Sequence, residues 1–132
     1  MNYKKLIAFI TVFVLAFALK AQDKDAVTFE MKLSKSKLGL NERLRVDFTM
    51  NKDGDNFNPP DFTGFRVLMG PSQSISSSWI NGVRSYSKTY SYTLAPSAKG
   101  KFSINQASIV IDGKTYKSLP KDVEVTAAVD KP

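Results

Sequence analysis

Asn51, Asp53 and Asp55 place side-chain oxygens at alternate positions of Asn51-Lys52-Asp53-Gly54-Asp55, which is how a calcium-binding loop begins. Such a loop also needs glycine at its sixth position and a bidentate glutamate at its twelfth, where this chain has Asn56 and Phe62. Asp, Asn and Gly are equally the ordinary residues of a solvated hairpin tip, because they accommodate tight backbone turns. The segment reads first as a turn. Asp53 and Asp55 are weak metal candidates, and no cofactor is expected.

Nucleophilic chemistry has less to work with. The serines of Ser72-Gln73-Ser74-Ile75-Ser76-Ser77-Ser78 would need a base, and the chain contains no histidine and no cysteine, which leaves lysine. No Ser-x-x-Lys occurs in that run; Ser85 to Lys88 is one, but it lies in a strand, where side chains three apart face opposite ways. Neither a nucleophile with its base nor two carboxylates on one face can be assembled, so an enzyme is not expected.

Binding chemistry is better represented. Trp79, Tyr86, Tyr90 and Tyr92 have flat apolar faces on which a sugar ring or a partner protein can stack. Tyrosines of one strand parity are more often core, and here they and Trp79 are expected to be its largest contributors, each burying roughly 150–250 Å². Phe57-Asn58-Pro59-Pro60-Asp61-Phe62 admits two readings as well. Phe57, Phe62 and Phe65 plug one end of a core, or the prolines stiffen an exposed aromatic ridge and so lower the entropy lost on binding. The candidate partner-binding residues are Asp53, Asp55, Phe57, Asp61, Trp79 and Tyr86.

The elements that must position them are strands. Val27, Phe29, Met31 and Leu33 form one period-two series, and Leu44, Val46, Phe48 and Met50 another, with Arg43, Arg45, Asp47 and Thr49 on the opposite face. Between them, Gly39 and Asn41 mark Lys37 to Glu42 as a turn. Asn51 to Phe62 reads as a loop, since adjacent prolines remove donors and fix φ. A short strand is predicted from Phe65 to Met69, stopped by Gly70-Pro71. Ser72 to Ile80 then pairs with Val83 to Leu94 through Asn81-Gly82, the pair that best suits a type I′ hairpin. Lys101 to Ile111 has Phe102 and Ile104 on one parity and Ala107, Ile109 and Ile111 on the other, which a bulge near Asn105-Gln106 would reconcile. Asp112-Gly113 is a second tight turn, and Val123 to Thr126 is the last strand. About seven short strands of this kind predict an all-β, immunoglobulin-like antiparallel sandwich. With no cysteine pair, apolar packing must hold it together.

Residues 1–21 precede this domain and read as a cleavable signal peptide. Lys4-Lys5 stand before a 14-residue apolar run from Leu6 to Leu19, shorter than the about 20 residues a membrane-spanning helix needs. Cleavage after Ala21 is preferred, and Ala16-Phe17-Ala18 offers a second small-x-small site. Removing residues 1–21 takes away three lysines and no acid, so the formal charge falls from +7 to +4. The remaining lysines are scattered among acids, without the clustered basic face that nucleic-acid binding uses. Residues 22–132 form one domain, long enough to build a core without disulfides.

The order and spacing of Asn56-Phe57-x-Pro59-Pro60-Asp61-Phe62-x-Gly64-Phe65, Gly70-Pro71-Ser72, Asn81-Gly82, Tyr90-Ser91-Tyr92-x-Leu94-x-Pro96, Gly100-Lys101-Phe102-x-Ile104 and Asp112-Gly113-Lys114-x-Tyr116 resemble the first extracytoplasmic domain of BatD, the Bacteroides aerotolerance protein D family. The resemblance covers nearly all of residues 22–132. It implies a non-enzymatic periplasmic component of the aerotolerance (Bat) system, at the outer face of the cytoplasmic membrane. It also implies contact with membrane proteins that carry von Willebrand A domains, near a MoxR-type ATPase. Members are usually several times longer, with further domains and a transmembrane helix near the C-terminus. The chain is therefore expected to be an N-terminal domain, isolated or continued, and membrane anchoring does not carry over. Von Willebrand A domains commonly hold a partner's carboxylate on a metal ion with an open position, a role that Asp53 or Asp55 would fit. The alternative from another class is a secreted carbohydrate-binding or adhesin-type sandwich, favoured if Trp79 and the tyrosines form one exposed stripe.

Overall fold

The computed structural model describes residues 26–130, so the expected leader and its cleavage sites lie outside the described residues. Ten strands follow one another: β1 (Phe29–Leu33), β2 (Lys37–Gly39), β3 (Leu44–Met50), β4 (Asp55–Asn58), β5 (Phe65–Ile80), β6 (Val83–Pro96), β7 (Gly100–Ile104), β8 (Ser108–Ile111), β9 (Lys114–Lys117) and β10 (Lys121–Thr126). They form a four-stranded sheet in the order β1-β3-β6-β5 and two three-stranded sheets, β2-β10-β7 and β4-β8-β9. Every pairing is antiparallel except that of β2 with β10. The buried faces of all three sheets meet in a single apolar cluster, which makes the molecule a β-sandwich.

Alternation explains the four-stranded sheet. Leu44, Val46, Phe48 and Met50 of β3 are fully buried, and the register sets them against Leu94, Tyr92, Tyr90 and Lys88 of β6. Met31 and Phe29 of β1 close the other side of β3. At the centre the Phe48 ring lies 5.3 Å from Phe57 and 6.0 Å from Tyr92. Asn81 and Gly82 both take positive φ, 51° and 77°, as the predicted type I′ hairpin requires.

Elsewhere local punctuation was overruled by pairing. Lys37–Gly39, expected as part of a turn, is strand β2, because Leu38 is apolar and finds burial beside β10. The turn itself comes later, at Leu40-Asn41, where the Gly39 N–H donates to Glu42 Oε1 at 2.9 Å and Glu42 Oε2 accepts from Lys35 Nζ at 2.7 Å. The expected loop before the prolines contains β4, whose register slips at Asn56 (φ 55°), a bulge that asparagine tolerates. Gly70-Pro71, a cis peptide, does not stop the strand: β5 continues through it with register shifts between Val67 and Ser72. An edge strand accommodates a residue without an N–H where a central strand cannot.

The expected bulge at Asn105-Gln106 is instead a crossing between sheets, since β7 pairs with β10 while β8 pairs with β4 and β9. Both parities are buried because the two stretches belong to different sheets. The crossing is pinned by Ser118, itself 2% exposed: Ala107 N–H donates to Ser118 Oγ at 2.8 Å, and Ser118 N–H donates to the Ala107 carbonyl at 3.0 Å.

Trp79 is the clearest correction, expected in the core and in fact 71% exposed. β3 accompanies β6 only as far as the Met50–Lys88 pair, so among the described residues no third strand lies beside the rest of the β5–β6 hairpin. Tyr90 and Tyr92 lie within the covered part and are buried as expected. These placements separate two large residues by their cost of removal. Phe48→Ala should destabilise the domain by about 3–5 kcal/mol in urea unfolding, and Trp79→Ala by no more than about 0.5 kcal/mol.

Candidate functional site

Beyond Lys88 the hairpin is an arm of two strands whose two faces differ because its residues alternate. One face carries Ser72, Ser74, Ser76 and Ser78 opposite Ser91, Thr89, Ser87 and Ser85. The other continues the core side of the sheet: Ile75 opposite Lys88, Ser77 opposite Tyr86, Trp79 opposite Arg84. On this face Ile75 and Trp79 are each more than half exposed, so among the described residues this continuation of the core side is left bare. Arg84 covers part of Tyr86, its guanidinium 5.7 Å from the ring centroid, and donates from Nε to Ser77 Oγ at 3.3 Å.

Lys88 marks where the core ends. Its stem is buried among the core residues, and its ammonium reaches Asp53 Oδ1 at 3.0 Å while standing 5.2 Å from the Tyr90 ring centroid. The hydrogen bond to Asp53 is the largest influence raising the Lys88 pKa, against the opposing effect of burial. Asp53 is held below the usual carboxylate range, chiefly by accepting that bond and then by the lysine's charge. Burial pushes the Tyr92 phenol up. The ion pair therefore ties the base of the arm to the connection between β3 and β4.

The sequence candidates do not converge on one spot. Asp53 and Tyr86 share an open depression with Asn51, Lys52 and Arg84. Trp79 sits farther out on the arm. Phe57 is half-buried and stacks on Tyr90 at 4.2 Å with the rings 2° from parallel, and Phe62 lies 5.0 Å from Tyr92, so both belong to the core plug. Asp55 and Asp61 are exposed and enter no ion pair among the described residues. Among those residues no three acidic side chains converge as a cation cage, and one Asp53 oxygen is already engaged by Lys88. A sugar platform would need Trp79 and the tyrosines in one exposed stripe, but Tyr90 and Tyr92 are buried.

Two features went unread in the sequence. Lys88 shares the parity of Tyr86, Tyr90 and Tyr92, and its place in that series signalled a cation at the margin of the core. The 17 residues between Arg66 and Arg84 contain no charge, which signalled an exposed arm unlike the rest of the surface.

The ion pair fixes a pH dependence. A depressed Asp53 pKa contributes stability that is complete above the ordinary carboxylate value and lost as pH falls through the folded-state value. A raised Lys88 pKa contributes stability that is complete below the ordinary lysine value and lost as pH rises through the folded-state value. Asp53→Asn should lower the melting temperature near neutral pH, and the gap to the unaltered protein should narrow as the pH falls below the ordinary carboxylate value and close once Asp53 is protonated in the folded state. Thermal melts across the acid limb check it.

Residues 31–125 match the family profile described as the BatD DUF11-like domain, so the match spans all but the outermost strand residues of the sandwich. No curated protein matches the chain. Because that profile covers well over half of the sequence and follows the strands just described, the chain belongs to the BatD family.

Proposed function

We propose that this chain is a non-enzymatic protein-interaction domain of the aerotolerance system. It works in the periplasm, at the outer face of the cytoplasmic membrane, and docks on membrane proteins that carry von Willebrand A domains. Membership of the BatD family supports the system, and the observation that carries the contact is the exposed carboxylate of Asp55, which enters no ion pair among the described residues. Asp55 opens β4, and Phe57 two residues on is stacked into the core, so the carboxylate is displayed from a fixed backbone. A rigidly presented carboxylate suits a partner's metal ion with an open coordination position, because little entropy is lost on capture. Asp61, exposed beside Pro59-Pro60, offers a second acid on the same stretch of chain. Asp53 is less suited, since leaving Lys88 would strand a buried-stem ammonium without its partner.

An affinity-tagged chain, crosslinked briefly in the native envelope, should recover a von Willebrand A-domain membrane protein with magnesium and lose it with a chelator. Asp55→Asn together with Asp61→Asn should reduce recovery at least about tenfold, equivalent to about 1.4 kcal/mol, without lowering the melting temperature. Equal recovery from the double variant would remove the carboxylate contact. Recovery of a glycan in place of protein would move the reading to a carbohydrate-binding module.

A further inference from the structure

The five outermost strands other than β5 each carry charge: Glu30 and Lys32 on β1, Lys37 on β2, Lys101 on β7, Asp55 on β4, and Lys114 and Lys117 on β9. Such charges are the usual defence against edge-to-edge pairing. β5 is the longest edge, 16 residues, and from Val67 to Ile80 it has no charged residue at all. All of its residues after Phe65 are exposed.

The hairpin geometry states which backbone groups stand free. A two-residue turn makes Ile80 and Val83 a hydrogen-bonded pair, so alternate residues Ser78, Ser76 and Ser74 bond to β6. Gln73, Ile75, Ser77 and Trp79 consequently turn their N–H and C=O groups outward, away from β6. Their side chains lie on the bare core-side face described above.

We propose that β5 is a self-pairing edge, through which two copies of this chain join antiparallel about a two-fold axis at Ser77. In that register Ser77 faces Ser77 of the second copy, and Ile75 faces Trp79 of the second copy in both directions. The two large apolar side chains that the single chain leaves bare are then each set beside the other, the kind of aromatic–aliphatic cross-strand pair that stabilises sheets. The free N–H and C=O groups of Ile75, Ser77 and Trp79 meet their equivalents. The two sheets become one of eight strands, β1-β3-β6-β5 followed by its mirror order. Charge does not oppose the union: the basic residues Arg84 and Lys88 lie on β6, and the two β6 strands would be separated by three strand spacings, about 14 Å, beyond the screening length of about 8 Å at physiological salt. A second copy is favoured over a strand of another protein because the uncharged edge satisfies both sides of a symmetric contact. This inference stands apart from the carboxylate contact, which uses β4 and the following loop.

The pairing segment is short against the about 800 Å² per partner of a standard interface, so dimerisation with a dissociation constant on the order of micromolar is expected in sedimentation equilibrium of the exported chain. Trp79 is the sole tryptophan, and its fluorescence should shift to the blue as the dimer forms. Ser77→Pro removes an outward N–H without touching the β5–β6 ladder; it should raise the dissociation constant at least about tenfold while the melting temperature of the monomer is kept. Since the chain has no cysteine, Ser77→Cys should oxidise to a covalent dimer, and Ser85→Cys, on β6, should not. A chain that stays monomeric into the hundreds of micromolar, a dimer indifferent to Ser77→Pro, or equal crosslinking at both cysteines would overturn the proposal. Capture of a different protein by Ser77→Cys in place of the second copy would overturn it too, and would assign the edge to that partner.

Discussion

The contact on which the rest of the structure depends is the aromatic one between the layers, where Phe57 of β4 lies flat on Tyr90 and against Phe48. A sandwich without disulfides holds its sheets together only by what their inner faces bury, and large flat rings remove the most apolar area per residue ordered. Phe57 reaches that place because the bulge at Asn56 turns the short β4 strand, and Pro59-Pro60 limit how the chain leaves it. Phe62 repeats the device on Tyr92. The proline-containing stretch is thus a clasp between layers, and the acids on either side of its aromatic anchors are held outward as a consequence.

The same tyrosine series shows where a core ends. Tyr92, Tyr90, Lys88 and Tyr86 share a face of β6, and exposure rises along it from buried to half-buried. Lys88 is the transitional residue: its stem packs with the core while its ammonium leaves the apolar layer to meet Asp53. A long amphipathic side chain suits such a border because its two ends prefer different surroundings. Past it, the hairpin is stabilised by its own ladder and a few side-chain contacts such as Arg84 on Tyr86.

Residues whose information is local were legible in the sequence. Alternation marked β1 and β3 and their buried faces, and Asn81-Gly82 marked the hairpin and its turn, because side-chain period and positive φ are properties of a few neighbouring residues. The Phe57–Phe62–Phe65 plug was legible for the same reason. What failed were inferences from local stops. Gly39 and Gly70-Pro71 looked like ends of strands, yet strands include them where a partner strand supplies the remaining bonds. Trp79 failed differently: parity states which residues share a face, but whether anything covers that face depends on how far β3 and the opposite layer extend. Of the candidate site, the exposed acids were readable as turn residues, whereas the Lys88–Asp53 pair joins residues 35 positions apart and had no local signature.

That ion pair also relates the two surfaces to one another. Asp53 lies in the connection from β3 to β4, two residues before Asp55, and Lys88 lies at the base of the arm. The bond therefore joins the base of the arm to the segment that displays Asp55, with its lysine end shielded from solvent and its aspartate end open to it. Breaking the pair leaves a lysine with a buried stem and no counter-charge, a cost that falls on the lysine side because the carboxylate can be solvated where it stands. The arm's orientation and the acid loop's position consequently share one restraint. The β5 edge and Asp55 are thus linked through one side-chain ion pair between separate stretches of chain, although the two surfaces have no residue in common.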